Sequence, residues 1–145
     1  MVWEKEDFFI STDKVMLDVA LIHYFISTQT NWGEGRSREM MQTAMDNSAY
    51  CFGVYRKSID GYQQIGFARV VSDLATFGYI ADVFILDEFR GKGLGRWLIQ
   101  TIVEHPALKK LKRLTLFTRI PEFYRQAEFK VTDPDGEAKF MERKP

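Results

Sequence analysis

The sequence predicts an α/β (α+β) domain with a mixed, mostly antiparallel central sheet flanked by helices. Three observations carry that expectation. Three β runs follow one another in mid-chain, Tyr50 to Arg56, Gln64 to Val71 and Phe77 to Leu86, the first two separated by the turn cluster Ser58-Ile59-Asp60-Gly61. Helical periodicity occupies the segments on both sides of this meander. The third β run then passes through a glycine-rich stretch straight into a helical pattern, the kind of junction that α/β layers use.

Taken in order, Phe8-Phe9-Ile10 is a short apolar run and reads as a strand. Ser11-Thr12-Asp13 are residue types that cap helix starts, so a first helix is expected over Val15 to Ile26, whose apolar positions share a broad face. Ser27 to Gly35 is polar and contains Asn31-Trp32-Gly33-Glu34-Gly35, the composition of a loop. Ser37 is placed to cap a second helix running to Asp46, with Met40, Met41, Ala44 and Met45 inward. After the meander, a helix over Gly95 to Glu104 should turn Leu94, Leu98, Thr101 and Ile102 to the core. Leu114 to Thr118 is a further β run, behind the basic patch Lys109 to Arg113. Pro121 suits the first turn of a short helix carrying Glu122 to Gln126. Phe129 to Val131, the turn Asp133-Pro134-Asp135-Gly136 and Ala138 to Met141 are expected to close the sheet with a hairpin.

At 145 residues the chain is the size of one domain, taken as 1–145. No stretch approaches the roughly 18 apolar residues that span a bilayer, and Met1 to Asp7 is charged where a secretory leader is basic and then apolar. Membrane insertion and export are therefore not expected. Cys51 is the sole cysteine, which rules out an internal disulfide and points to a reducing, cytoplasmic setting. Between Tyr50 and Phe52 it reads as a buried strand thiol. A formal net charge of zero removes the general attraction that nucleic-acid binders use. His23 and His105 stand far apart in no ligand spacing, so no metal site is expected, and His105 before Pro106 reads as a helix C-terminal cap.

The chemistry concentrates at Arg90-Gly91-Lys92-Gly93-Leu94-Gly95-Arg96. A helix start presents unpaired N–H groups and partial positive charge, glycines let a ligand approach the backbone closely, and three cations reinforce the site. Together they make a phosphate cradle. A dinucleotide fingerprint would need glycine where Arg96 or Leu98 stands, and a P-loop would need Ser or Thr where Gly93 stands. Upstream, Asp82 interrupts the apolar run between Ala81 and Val83, and a carboxylate there is costly unless paired, hydrated or used. Two readings stay open for Asp82. It orients or deprotonates an amine, or it is a hydrogen-bonded structural aspartate.

With Arg90, Gly93 and Gly95 as fixed points, Arg-x-x-Gly-x-Gly between strand and helix resembles the pyrophosphate motif of the GNAT superfamily of N-acetyltransferases. The element order resembles that fold as well. The resemblance implies acetyl-CoA as acetyl-donor cosubstrate, with its pyrophosphate on Arg90, Gly91, Lys92, Gly93, Leu94, Gly95 and Arg96. It also implies a pantetheine arm paired with the main chain of Val83, Phe84 and Ile85, where two strands splay apart. Tyr124, in Phe123-Tyr124-Arg125-Gln126-Ala127-Glu128-Phe129, resembles the family's helix tyrosine that precedes a Gly-Phe pair, which implies a general acid for the leaving thiolate. Here Glu128 replaces that glycine. Trp32, Arg36 and His23 fall near the region that walls the acceptor side in this family, and Trp32 and Glu34 are the expected substrate contacts.

With no convincing nucleophile in the chain, the expected reaction is direct acetyl transfer in a ternary complex to an amine of a small molecule or peptide. A homodimer is compatible with the resemblance; nucleic-acid and membrane partners are not expected. The alternative is a non-catalytic acyl-CoA-binding regulatory module, to which Glu128 lends weight.

Overall fold

The structure is a computed structural model and describes residues 1–132 and 139–145. Six strands form one sheet in the order β1 (Val2–Lys5), β2 (Phe8–Ser11), β3 (Tyr50–Ser58), β4 (Gly61–Ser72), β5 (Phe77–Ile85) and β6 (Arg113–Thr115). Strands β1 to β5 pair antiparallel and β6 joins β5 in parallel, so the sheet is mixed and mostly antiparallel. Helices α1 (Val19–Gln29) and α2 (Arg38–Asp46) precede the meander, α3 (Leu94–Glu104) follows the glycine loop, and α4 (Pro121–Arg125) follows β6.

Side chains of a strand alternate between its faces, and both faces here are covered. Cys51, Phe67 and Phe84 pack with Ile22, Phe25 and Ile26 of α1 and Met41 and Met45 of α2. Their chain neighbours Phe52, Ala68 and Ile85 belong to the opposite core with Leu94, Leu98, Ile99 and Ile102 of α3. Helices α1 and α2 have the polar start that the sequence supplies, at Asp18 and Ser37, whereas α3 starts at Gly93 and α4 at Ile120 with no side-chain cap. Ser37 Oγ accepts the Met40 amide at 3.0 Å to open α2, as expected from the sequence.

Several boundaries differ from expectation. Asp13 caps a single 3₁₀ turn over Lys14–Met16 instead of the first helix, which starts later with Asp18 Oδ1 accepting the Leu21 amide. In α2, Met41 and Met45 are buried, whereas Met40 is 55% exposed, because one side of a short helix suffices to cover the sheet. Strand β1 was hidden by its charge: an edge strand needs only a ladder partner, and polar side chains suit its exposed face. The closing hairpin is absent from the described residues: Phe129 to Val131 and Lys139 to Met141 form no strand, and the expected turn 133–136 lies outside them. Val131 is 64% and Phe140 73% exposed, so these apolar runs lack the buried face that would fix a strand register.

Candidate active site

The glycine loop starts where β5 ends at Ile85. A 3₁₀ turn over Asp87–Phe89 anchors it through the buried Phe89 ring, which meets Phe8 edge-on at 6.2 Å. Arg90 is turned back on the loop's own base, with Nε donating to the Ile85 carbonyl at 3.2 Å and Nη1 pairing with Asp87 at 3.0 Å. Gly91 and Gly93 both have φ of 78°, the left-handed region that side chains resist. The first α3 hydrogen bond runs from the Trp97 amide to the Gly93 carbonyl at 3.0 Å. Upstream of it, the amides of residues 91 to 96 have no hydrogen-bond partner among the described residues. Gly95 serves packing instead: a Cβ there would lie 3.0 Å from Cζ of Phe123, the neighbour of Tyr124. Motif and tyrosine, 29 residues apart from Gly95 to Tyr124 in sequence, are thus held side by side.

Next to the loop the sheet opens. Strand β6 pairs β5 only at Phe77↔Arg113, Gly78↔Leu114 and Tyr79↔Thr115, although β5 continues to Ile85. Val83, Phe84 and Ile85 therefore have no strand partner on that side among the described residues. The side chain of Phe84 is fixed in the core, stacked on Phe25 at 4.1 Å. On its other side β5 pairs β4, where the register steps from Phe67↔Phe84 to Arg69↔Ala81. Asp82 and Val83 thus oppose Ala68 in a β-bulge, with Asp82 at φ 56°.

The Asp82 carboxylate is held from two sides. Arg36 Nη1 donates to both oxygens at 2.9 and 2.8 Å, and Arg69 Nε donates to Oδ2 at 2.7 Å, leaving the side chain 1% exposed. A general base must be reached by the amine or its water and must hold a proton readily, whereas this carboxylate is closed off from solvent and carries three bonds from two guanidinium groups that favour its charged form. Of the two sequence readings, this geometry favours the structural one. The signal that could have found it is the pair Arg36 and Arg69, far from Asp82 in sequence but joined to it by the strand register and the loop after α1. His23 Nε2–H donates to the Arg36 carbonyl at 2.9 Å and steadies that loop from α1. In the same loop Trp32 is 57% exposed and Glu34 is exposed, without an ion pair among the described residues.

Tyr124 lies on α4, started by Pro121 at the first helical position. Its ring meets Phe123 at 4.9 Å and Phe129 at 6.0 Å, and no hydrogen bond reaches its hydroxyl among the described residues. Burial pushes its phenol above the usual range, which keeps the proton on oxygen at neutral pH. The α4 exit is a Schellman turn: the Phe129 amide bonds the Tyr124 carbonyl at 3.4 Å and the Glu128 amide bonds the Arg125 carbonyl at 3.0 Å. Glu128 adopts φ 67°, so the turn that a glycine would make is made here by a glutamate. Cys51 is fully buried and its thiol is pushed up to about 11 by desolvation, which unfits it as a nucleophile. Among the described residues no group of three or more His, Cys, Asp or Glu gathers as metal ligands, and no helix is long and apolar enough to cross a membrane.

A family model described as an acetyltransferase (GNAT) domain matches residues 47–131. A protein of Gibberella zeae with a provisional acetyltransferase name is 33% identical over 132 residues, covering 78% of this chain and 74% of its own length. The N-acetyltransferase ycf52 of Gracilaria tenuistipitata var. liui, itself uncharacterized, is 33% identical over 103 residues, 70% of this chain; the chain spans 56% of that relative. Among solved structures, a provisionally assigned GNAT-family acetyltransferase from Xanthomonas campestris pv. campestris superposes with a TM-score of 0.83 at 36% identity, covering 100% of this chain and 94% of the other. With the glycine loop, the opened strand pair and these matches in agreement, the chain belongs to the GNAT superfamily of N-acetyltransferases.

Proposed function

We propose that this enzyme transfers the acetyl group of acetyl-CoA directly to an amine held in the same complex. The observation that carries this reading is the row of unpaired amides at residues 91 to 96, beside a strand stripped of its neighbour. The residues fit the donor: amide donors and a helix start suit a diphosphate, and an unpaired β edge suits the amide groups of a pantetheine arm. Bound there, acetyl-CoA supplies an activated acyl thioester. Gly91 to Arg96 hold the diphosphate, with Lys92 and Arg96 adding charge, while Arg90 braces the loop through Ile85 and Asp87.

The main chain of Val83, Phe84 and Ile85 aligns the arm, and an amide on that edge polarises the thioester carbonyl as its oxygen gains charge. The amine nitrogen forms the new C–N bond as the C–S bond breaks, and its surplus proton leaves to water. Tyr124 donates its hydroxyl proton to the departing sulfur. Asp82 fixes Arg36 and Arg69 along the acceptor wall, where exposed Trp32 and Glu34 meet the substrate, a small-molecule or peptide amine. The buried Cys51 supports transfer without a covalent acyl-enzyme, and as an unpaired thiol it suits a reducing, cytoplasmic setting. With Glu128 in place the turn below Tyr124 is still formed, which supports the catalytic reading over the non-catalytic module. Calorimetric titration with acetyl-CoA, followed by amine panels with detection of released CoA, tests the proposal. A chain that binds no acetyl-CoA would overturn it.

A further inference from the structure

Lys5 stands outside the matched family region 47–131, on the edge strand β1, yet the fold brings it to the glycine loop. A Cβ on Gly93 would lie 4.0 Å from Lys5 Nζ, and the same ammonium sits 5.9 Å from the centre of the Trp97 ring on the first turn of α3. Several contacts hold the β1–β2 hairpin in this position. Trp3 packs on Phe52 at 6.0 Å and on His105 at 5.9 Å, and Phe8 meets Phe89 of the loop's own anchor. The ladder Lys5↔Phe8 ties the lysine to that anchored strand.

The ammonium has no ion-pair partner among the described residues, although Glu6, Asp7 and Glu88 line the same cleft of about 490 Å³. Arg90 is the contrasting case: it belongs to the motif, but its charge is already matched by Asp87. An unmatched cation perched over unpaired amides, with an aromatic face orienting it, is the arrangement that an anion completes.

We propose that Lys5 is a ligand of the donor's diphosphate, a cation delivered by the N-terminal hairpin to the loop that the Arg-x-x-Gly-x-Gly segment builds. The proposal rests on the acetyl-CoA reading of that loop. It assigns donor affinity to a residue that the motif does not contain.

The test uses the full chain with three probes: CoA, dephospho-CoA, which keeps the diphosphate and lacks the 3′-phosphate, and pantetheine, which has no phosphate. Lys5→Met keeps an apolar stem over Trp97 and removes the charge; Lys5→Arg keeps the charge. Lys5→Met is expected to weaken CoA and dephospho-CoA alike by about three- to tenfold at low salt. It should leave pantetheine, read by competition, unchanged. Lys5→Arg should retain wild-type affinity, and the difference between wild type and Lys5→Met should shrink in about 1 M salt, where exposed charges are screened. Equal CoA affinity for wild type and Lys5→Met overturns the proposal. So does a loss confined to CoA, which would assign the lysine to the 3′-phosphate, or a loss shared by pantetheine, which would indicate general damage. Failure of the wild-type chain to bind CoA is a separate result, and it removes the acetyl-CoA reading itself.

Discussion

Burial raises the phenol of Tyr124, the proposed proton donor, and its oxygen has no protein partner among the described residues. Tyr124→Phe removes the proton and almost nothing else. Turnover at saturating acetyl-CoA should fall about 10²-fold while CoA affinity stays within about twofold, measured by CoA release and by calorimetry. Four residues on, Glu128 holds a left-handed backbone that costs an ordinary side chain about 1–2 kcal/mol. Glu128→Gly relieves that strain but frees the unfolded chain, so a net gain of about 0.5–1 kcal/mol is expected in urea unfolding. Asp82 calls for a paired experiment. Asp82→Ala strands two guanidinium groups and should cost about 2–4 kcal/mol of stability, whereas Asp82→Asn keeps an acceptor and tolerates positive φ, and should cost less. If Asp82 were the base, Asp82→Asn would abolish turnover in a fully stable protein; the ion-pair geometry predicts retained turnover.

The loop between β5 and α3 is the element on which the proposed donor binding turns. Gly93→Val places a β-branched side chain at φ 78°, and should lower CoA affinity at least about tenfold while costing about 1–2 kcal/mol, read by calorimetry and thermal melts. This loop was legible from sequence because Gly91, Gly93 and Gly95 sit between a β run and a helical run, and composition and position agree there. The cap at Ser37, the turn from Ser58 to Gly61 and the start of α4 at Pro121 were legible for the same reason: each is a local backbone requirement written in one short stretch. The parts that stayed hidden depend on distant partners. Strand β1 is defined by its ladder with β2, the bulge at Asp82 by its register against β4, and the place of Lys5 by the docking of a hairpin. Among the described residues the arms of the hairpin expected at the C-terminus form no strand for the converse reason, since apolar residues without a covering layer do not fix one.

Across the whole molecule, His105 joins the end of α3 to the N-terminal edge of the sheet. Its ring lies 4.4 Å from Tyr50 and 5.9 Å from Trp3, and Nδ1 accepts the Ala107 amide at 3.1 Å instead of donating to the last helix carbonyls. Burial, and then the nearby N-terminal charge, lower its pKa in the folded state, and protonating Nδ1 would break the bond to Ala107. The unfolded chain therefore takes up the proton first, so stability is full above the unfolded value near 6.5 and erodes as pH falls through it. Thermal melts from pH 7.5 to 5 should show a falling midpoint, and a His105→Gln variant should show a shallower fall. Strand β5 has the broadest span of duties: α1 and α2 lie on one of its faces, α3 on the other, the proposed donor track runs along one edge and the bulge sits on the opposite edge. Under the proposed function, such a division would let the stretch carrying Trp32 and Glu34 be rewritten for a new acceptor while the proposed donor track behind the strand stays as it is. Retargeting at the bench is then expected to need a graft of one short surface segment that keeps Arg36.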